Sequence, residues 1–209
     1  AIRASQLGKK VAVVEKEHLG GICLNWGCIP TKALLKNADI LNIVKKSSLY
    51  GIDISNYKVD WKKIIKRSRD ISSRLSKGIE FLMKKNKIQV FNGIASFIDN
   101  ESIIINNKNE KIFADNFIIA TGARASSIPG MEPDSKLILS YKEAMILKEI
   151  PKTLVIIGAG AIGVEFAHIY SSFGTEVTII ESLPRILPTE DSEISLELEK
   201  SYKKRNIAI

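Results

Sequence analysis

The chain has 209 residues, 45% of them hydrophobic, and a formal net charge of +8. This length provides one large domain or two smaller ones. Apolar runs stay well short of the ~20 residues that a membrane helix needs, and residues 1–8 lack a signal-peptide pattern, so we expect a soluble protein without a membrane partner. The two cysteines, Cys23 and Cys28, are too few for a secreted disulfide framework.

The chain opens with a pattern of helix, strand and acid. Gly8 is placed to end a helix, a β-branched strand follows, and Glu15 comes seven residues after the glycine. Pro30 suits the first turn of a helix that runs to about Lys46. Asp60 is a candidate cap for a further helix, whose predicted inner face comprises Trp61, Ile64, Ile65, Ser68, Ile71, Leu75, Ile79 and Leu82.

Much of the positive charge lies on this further helix. A nucleic-acid partner is one interpretation, but apolar residues interleave with the charges at helical spacing, which favours a solvated face. We therefore expect no nucleic-acid partner. The cations are Lys62, Lys63, Lys66, Arg67, Arg69, Arg74, Lys77, Lys84 and Lys85.

Short strands are predicted in the middle of the chain, at Gln89–Phe91, Ile94–Ile98, Ser102–Asn106 and Asn116–Ala120. Asn-Gly, Asp-Asn and Asn-Asn pairs, which favour turns, separate most of them. Residues 126–133 are expected to form an exposed connection, and a domain boundary is expected near residues 148–152.

A second strand, turn, helix, strand and acid follow this boundary. Thr153–Ile157 is the predicted strand, residues 158–163 have the form G-x-G-x-x-G, and residues 161–173 form the predicted helix. A G-x-G-x-x-G sequence alone is weak evidence. Here all five parts occur in order, with Glu181 near the spacing of a ribose-binding acid, and they predict a dinucleotide-binding βαβ unit.

Residues 173–181 repeat the pattern of residues 7–15. In the later copy the first glycine of the turn lies sixteen residues before Gly174, and the same distance before Gly8 lies off the chain. We therefore expect Ala1 to fall inside a helix of an earlier βαβ unit; the alternative is a simple leading helix. The predicted fold is α/β, with two Rossmann-like dinucleotide-binding domains, both incomplete, over residues 1–150 and 151–209.

The two cysteines lie in the stretch from Gly20 to Lys32 and have three candidate roles: zinc ligands, buried apolar side chains or a redox pair. Zinc needs four ligands, and with only two histidines in the chain no fourth ligand is evident, so we expect no metal. Cys23 comes eight residues after Glu15, where a dinucleotide would lie, which favours a redox pair.

Helix geometry sets a condition on such a pair. Residues five apart in a regular α-helix have Cα atoms about 8.6 Å apart, beyond the ~7 Å limit for a disulfide. If Cys23 and Cys28 form a bridge, the backbone between them is not regular helix, and Gly27 is the residue that lets the chain deviate.

This stretch resembles the active-site signature of the class I pyridine nucleotide-disulfide oxidoreductases, which include glutathione reductase, mercuric reductase and dihydrolipoyl dehydrogenase. The resemblance covers the whole chain. Residues 28–35, Cys-Ile-Pro-Thr-Lys-Ala-Leu-Leu, are most similar to the dihydrolipoyl dehydrogenase branch of this class. This resemblance implies electron transfer from protein-bound dihydrolipoyl groups through a redox disulfide and FAD to NAD. The alternatives are another disulfide or mercuric reductase of this class and a non-catalytic nucleotide-binding protein.

The resemblance implies a role for each matching residue. Cys23 would be the interchange thiol, Cys28 the charge-transfer thiol against the flavin, and Lys32 would lie near the flavin N5 and pair with Glu165. The implied FAD contacts are Glu15, Gly20, Gly21, Cys23, Lys32, Ala95, Thr121, Gly122 and Ala123. The implied NAD contacts are Gly158, Gly160, Ala161, Ile162, Gly163, Glu165 and Glu181.

The resemblance also implies partners and a location. These are the lipoyl domains of the acyltransferase components of 2-oxo acid dehydrogenase complexes, a homodimer of the full-length protein, and the bacterial cytoplasm or the mitochondrial matrix. The family's dimerisation domain, with its His–Glu acid/base pair, is expected to lie outside this sequence. His168 does not match that histidine, because it lies inside the second βαβ helix. We therefore expect the chain alone to be inactive. Glu181 predicts NAD over NADP; Arg185, four residues later, is the one candidate cation for a 2′-phosphate.

Overall fold

The computed structural model describes residues 1–106 and 110–209. Within them the helices are α1 (Ile2–Gln6), α2 (Gly21–Trp26), α3 (Cys28–Lys45), α4 (Trp61–Lys85), α5 (Tyr141–Ala144), α6 (Ala161–Ser172) and α7 (Ser192–Lys203). The strands are β1 (Ala12–Glu15), β2 (Gln89–Asn92), β3 (Ala95–Asp99), β4 (Ser102–Ile105), β5 (Glu110–Phe113), β6 (Thr153–Ile157) and β7 (Glu176–Ile180), and Ser47–Tyr50 forms a 3₁₀ turn.

The chain separates into two compact units. The first comprises residues 1–27 and 70–124, and the second comprises residues 28–69 and 125–209, so α4 contributes residues to both. This division follows packing. The domains expected from the sequence, residues 1–150 and 151–209, are defined by the cofactor that each would bind and not by packing. They stay a prediction.

The first unit contains a parallel strand pair and an antiparallel meander. Strand β1 pairs with β2 in parallel, with Glu15 opposite Asn92, and β3, β4 and β5 pair in that order. The helix expected before Gly8 is present as α1, and Gly8 follows its end at a φ of +79°. Its place in an earlier βαβ unit stays a prediction. Because the carboxyl ends of parallel strands meet at one edge, Glu15 and the loop after Asn92 share that edge of the pair.

The second unit contains the predicted βαβ arrangement. Strands β6 and β7 pair in parallel from Thr153 opposite Glu176 to Ile157 opposite Ile180, and α6 connects them. Ala208, near the end of the chain, forms an isolated parallel β-bridge with Thr178 of β7. The α6 and β7 side chains that form the core include Ile169, Tyr170, Val177 and Ile179, each at most 2% exposed.

Helices α3 and α4 add to the core of this second unit. Trp61, the first residue of α4, lies 5.1 Å from the ring of Phe173, and its indole N–H donates to the Leu147 carbonyl at 2.8 Å. Asn42 of α3 donates to the Ser172 hydroxyl at 3.0 Å. The predicted Asp60 cap is confirmed, since its Oδ1 accepts from the Lys63 N–H at 3.0 Å.

One predicted strand is wrong. Residues 116–120 form no strand in the described part of the chain. Ile118 and Ile119 are 86% and 73% exposed. An apolar segment becomes a strand only where a neighbouring strand completes its backbone hydrogen bonds. Strand β5 was not predicted, and the Asn106-Asn107 turn pair extends outside the described residues.

No helix within residues 1–106 and 110–209 combines the length and apolar character that a bilayer crossing requires.

Candidate active site

The glycine turn after β6 is built around two close backbone approaches. Gly158 has a φ of +97°, which favours glycine, and its N–H donates to the Ile180 carbonyl at 2.8 Å. A β-carbon on Gly163 would lie 2.1 Å from the Gly158 carbonyl oxygen. The third glycine therefore lets α6 pack directly against the turn, which is the role this position has in dinucleotide-binding units.

The amino end of α6 fits a phosphate group. Gly160 is the N-cap and carries no side-chain cap, and a β-carbon there would meet nothing within 4 Å among the described residues. The N–H groups of Ala161, Ile162 and Gly163 belong to the first turn, which has no intrahelical acceptors for them. These donors and the helix dipole suit the pyrophosphate of NAD.

Glu181 lies directly after β7, beside this turn. Its Oε2 accepts from the Ala159 N–H at 2.8 Å, and its Oε1 accepts from the Leu183 N–H at 3.0 Å. The Ala159 hydrogen bond, followed by that from Leu183, lowers the pKa of the carboxyl below its ordinary value of 4.5. Glu181 is therefore an oriented carboxylate at neutral pH, with lone pairs left for ribose hydroxyls.

Helices α3 and α6 are joined by an ion pair. Lys32 Nζ lies 2.5 Å from Glu165 Oε1, with the lysine side chain 62% and the glutamate side chain 25% exposed. Cys28 is the first residue of α3 and is exposed. Because residues four apart share one helix face, Cys28 and Lys32 lie one turn apart on the same side of α3.

Cys23 lies in α2, which belongs to the first unit. Gly20 and Gly21, with φ of +98° and +69°, lead into this helix, and Gly27 ends it at φ −133° and ψ −122°. The helix is interrupted at Gly27, which is the condition that a Cys23–Cys28 bridge requires; the bridge itself stays a prediction. A β-carbon there would lie 3.1 Å from the Ile22 carbonyl oxygen, so glycine also relieves crowding at this break.

Asn25, which the sequence reasoning missed, fixes the loop before α2. Its side chain is buried, and its Nδ2 donates to the carbonyls of Leu19 at 3.0 Å and Gly21 at 2.9 Å. Ser76 donates to the same Leu19 carbonyl at 3.1 Å. A polar amide inside a short, otherwise apolar helix next to two glycines was the available signal.

The remaining predicted FAD residues also lie in the first unit. Glu15 ends β1, and its Oε1 accepts from the Glu17 N–H at 2.8 Å. Ala95 begins β3, three residues after the end of β2. Thr121, Gly122 and Ala123 lie in exposed, irregular backbone, with Gly122 at a φ of +74°. Their flavin roles stay predictions.

His168 lies inside α6, as expected, and contacts two charged side chains. Its Nδ1 is within hydrogen-bonding distance of the Arg205 guanidinium, and its Nε2 lies 3.5 Å from Asp39 Oδ1. Among residues 1–106 and 110–209 no three His, Cys, Asp or Glu side chains are grouped to hold a metal ion.

Comparison with known proteins gives consistent matches over the whole chain. The family model for pyridine nucleotide-disulphide oxidoreductases matches residues 1–209. Dihydrolipoyl dehydrogenases of Zymomonas mobilis and Chlorobaculum parvum are 47% and 43% identical over 212 residues, which cover 100% of this chain and 46% and 45% of those proteins.

A solved structure supports the same fold. The HOCl-induced flavoprotein disulfide reductase RclA from Escherichia coli matches with a TM-score of 0.84 at 29% identity, over 100% of this chain and 45% of RclA. The chain thus spans about half the length of the relatives it matches. The predicted α/β fold with two dinucleotide-binding regions and the cofactors FAD and NAD are confirmed. The chain belongs to the pyridine nucleotide-disulphide oxidoreductase family.

Proposed function

We propose that this chain is the FAD- and NAD-binding part of a dihydrolipoyl dehydrogenase, which oxidises protein-bound dihydrolipoyl groups and reduces NAD. One observation carries the proposal: Lys32, one turn after Cys28 on α3, is ion-paired with Glu165 of α6. This pair joins the helix that begins at a redox-competent cysteine to the helix that begins at the glycine turn. The second unit therefore contains both the Cys28 sulfur and the glycine turn that would bind the nucleotide.

The proposed sulfur chemistry is a dithiol–disulfide exchange, in which Cys23 and Cys28 form the enzyme's disulfide. One thiolate of the dihydrolipoyl group attacks the Cys23 sulfur, the Cys23–Cys28 bond breaks, and Cys28 leaves as a thiolate. The second substrate thiolate attacks the substrate sulfur bonded to Cys23, which forms the cyclic lipoyl disulfide and releases the Cys23 thiolate. The two thiol protons pass to a base or to water, and two electrons remain on the cysteine pair.

The other residues hold charge and orient the cofactors. Bound FAD would supply the redox chemistry that links the cysteine pair to NAD. Lys32 would lie near the flavin N5, as the family resemblance implies. Glu165 holds the lysine, the amino end of α6 binds the NAD pyrophosphate, and Glu181 binds the adenosine ribose.

The proposal includes the partners of the intact protein. Dihydrolipoyl dehydrogenases among the bacterial relatives support lipoyl domains of 2-oxo acid dehydrogenase complexes as the substrates. A homodimer is proposed for the intact protein, as is a place in the bacterial cytoplasm.

A second candidate function has one specific support. The likeness to RclA, a flavoprotein disulfide reductase, suits a reductase with a different sulfur substrate. The same cysteine chemistry would then run in the opposite direction, from a nicotinamide donor to an external disulfide.

The test uses the intact gene product, assayed for NADH formation from NAD and dihydrolipoamide. Cys28→Ser is expected to lower this activity by at least ~10³-fold, as loss of a reacting group does in other enzymes. FAD should stay bound, while the long-wavelength absorbance of the two-electron-reduced enzyme disappears, because no thiolate faces the flavin.

Lys36→Gln controls for a general disturbance of α3, since Lys36 is an exposed residue two turns beyond Cys28 on the same helix. It should keep wild-type activity. An undiminished long-wavelength absorbance in Cys28→Ser would contradict the cysteine assignment. A wild-type protein that oxidises NADH with other disulfides but does not turn over dihydrolipoamide would favour the second candidate.

A further inference from the structure

Residues 182–190, here called the clasp, connect Glu181 to α7 and fold back onto the glycine turn. The Leu187 N–H donates to the Ala159 carbonyl at 2.8 Å. Leu187 takes a φ of +46°, which is unfavourable for a non-glycine residue. Ile186 beside it is 1% exposed. A conformation of this kind persists only where surrounding contacts fix it.

Arg185 provides some of the contacts that hold the clasp in this conformation. Its Nη2 donates to the carbonyls of Pro188 at 3.1 Å and Glu190 at 3.2 Å. Its Nε is enclosed, and no hydrogen-bond partner for it is found among the described residues. The guanidinium is therefore engaged with the backbone of its own loop, an arrangement that suits its planar fork of donors.

Ala159, the middle residue of the G-x-G sequence, links the clasp to Glu181. Its carbonyl accepts from Leu187 of the clasp, while its N–H donates to Glu181 Oε2 at 2.8 Å. Both backbone polar groups of Ala159 are thus hydrogen-bonded, the carbonyl to the clasp and the N–H to Glu181. A shift of the clasp would move Ala159 and, through it, the carboxylate that is aimed at the ribose.

We propose that Arg185 is a positioning residue for the adenosine half of the dinucleotide: by holding the clasp closed, it fixes the glycine turn and the Glu181 carboxylate. The inference rests on the proposed function in one respect: it takes the glycine turn and Glu181 as the NAD site. It assigns Arg185 a role distinct from that of a 2′-phosphate ligand, for which its guanidinium would have to leave the clasp.

The test compares Arg185→Gln, Arg185→Lys and Lys200→Gln in the intact, FAD-loaded gene product. Arg185→Gln is expected to raise the KM for NAD, and the Ki of ADP-ribose as competitor, on the order of tenfold, with kcat within about twofold. Arg185→Lys should be intermediate, because an ammonium keeps the charge but reaches fewer carbonyls. Lys200→Gln removes an exposed cation of α7 that is paired with Glu197 and should change nothing.

Equal KM and Ki values in Arg185→Gln and wild type would overturn the proposal, as would a loss confined to NADP. If Arg185→Gln fails to fold, Arg185→Lys decides: a raised KM at retained kcat supports the proposal, and a wild-type KM contradicts it. Because ADP-ribose inhibition of FAD reduction by NADH needs no lipoyl substrate, failure of the proposed substrate would leave this outcome readable.

Discussion

Glu15 and Glu181 occupy equivalent places in two copies of one pattern, yet their carboxylates have different surroundings. Glu15 is the last residue of β1 and Glu181 directly follows β7. Each comes seven residues after a glycine of left-handed conformation, Gly8 at φ +79° and Gly174 at φ +97°. Glu181 accepts a hydrogen bond from Ala159, twenty-two residues earlier in the chain. The bond that Glu15 accepts comes from Glu17, within its own loop.

This difference shows what orients a nucleotide-binding acid. The strand brings the carboxylate to the sheet edge, but a distant peptide N–H fixes its direction and stabilises its charge. In the second unit the turn, the acid and the clasp form one hydrogen-bonded network. The shared sequence pattern therefore indicates where each acid lies, whereas the network determines how rigidly it is held.

The largest expected effect comes from adding a single methyl group to the turn. Gly163→Ala would place a β-carbon 2.1 Å from the Gly158 carbonyl oxygen, and such overpacking costs about 1–3 kcal/mol of unfolding free energy. The midpoint of denaturant unfolding of the intact protein should fall accordingly, and the KM for NAD should rise.

Gly160→Ala is the matched control, because a β-carbon there meets nothing within 4 Å among the described residues and the φ of −72° suits alanine. Its stability should change by less than about 0.5 kcal/mol, while its KM for NAD still rises, since the methyl group enters the space proposed for the pyrophosphate. Equal loss of stability in both variants would refute this view of the turn.

Substituting the two acids tests the comparison directly. Glu181→Ser should lower the preference for NAD over NADP on the order of tenfold, because a 2′-phosphate no longer meets a carboxylate. Glu15→Ser should leave this ratio unchanged and lower the FAD content of the purified protein instead. Specificity constants for both cofactors and the flavin-to-protein absorbance ratio provide the measurements. A changed cofactor ratio in Glu15→Ser would show that the two acids are not divided in this way.

The pKa of Glu181 adds a pH condition to this prediction. Because hydrogen bonds hold the folded pKa below 4.5, the carboxylate's contribution is present above that value and is lost as pH falls through the lowered pKa. The NAD preference should therefore be constant from about pH 7.5 to about pH 8.5, where the 2′-phosphate of NADP, with a second pKa of about 6, is also fully ionised. A preference that falls within this range would implicate a different titrating group.

The sequence predicted those features that depend on local spacing. Gly158, Gly163 and Glu181 lie where the G-x-G-x-x-G pattern and its trailing acid put them, because a tight turn and close helix packing allow few other residues. The ion pair of Lys32 with Glu165, implied by the family resemblance, is present as well.

Features that depend on hydrogen bonds from a side chain to backbone carbonyls escaped prediction. Asn25 and Arg185 act through carbonyl groups, and carbonyls are present at every residue, so no side-chain pattern marks them. The expected strand at residues 116–120 failed for the related reason that a strand needs a neighbour, which periodicity alone does not supply.

The smallest expected effect separates the two histidines, one in each unit. His168 in the second unit has a side chain only 14% exposed and contacts Arg205 and Asp39, whereas His18 in the first unit is exposed. Burial, and then the Arg205 charge, lower the pKa of His168 below 6.5, against a smaller opposing effect of Asp39. The unfolded chain therefore binds a proton more readily at this position than the folded chain does.

It follows that stability is greatest above pH 6.5 and decreases as pH falls from 6.5 to the lowered folded pKa. Between pH 7.5 and pH 5.5 the contribution of this group should amount to a decrease in Tm of roughly 1–2 °C. His168→Gln should remove that part of the decrease, and His18→Gln should keep it. Thermal unfolding of the intact protein at closely spaced pH values measures both variants against wild type. If His168→Gln retains the full wild-type slope, then Arg205 and the surrounding core do not oppose protonation of this histidine, and its place in α6 has no influence on the acid stability of the second unit.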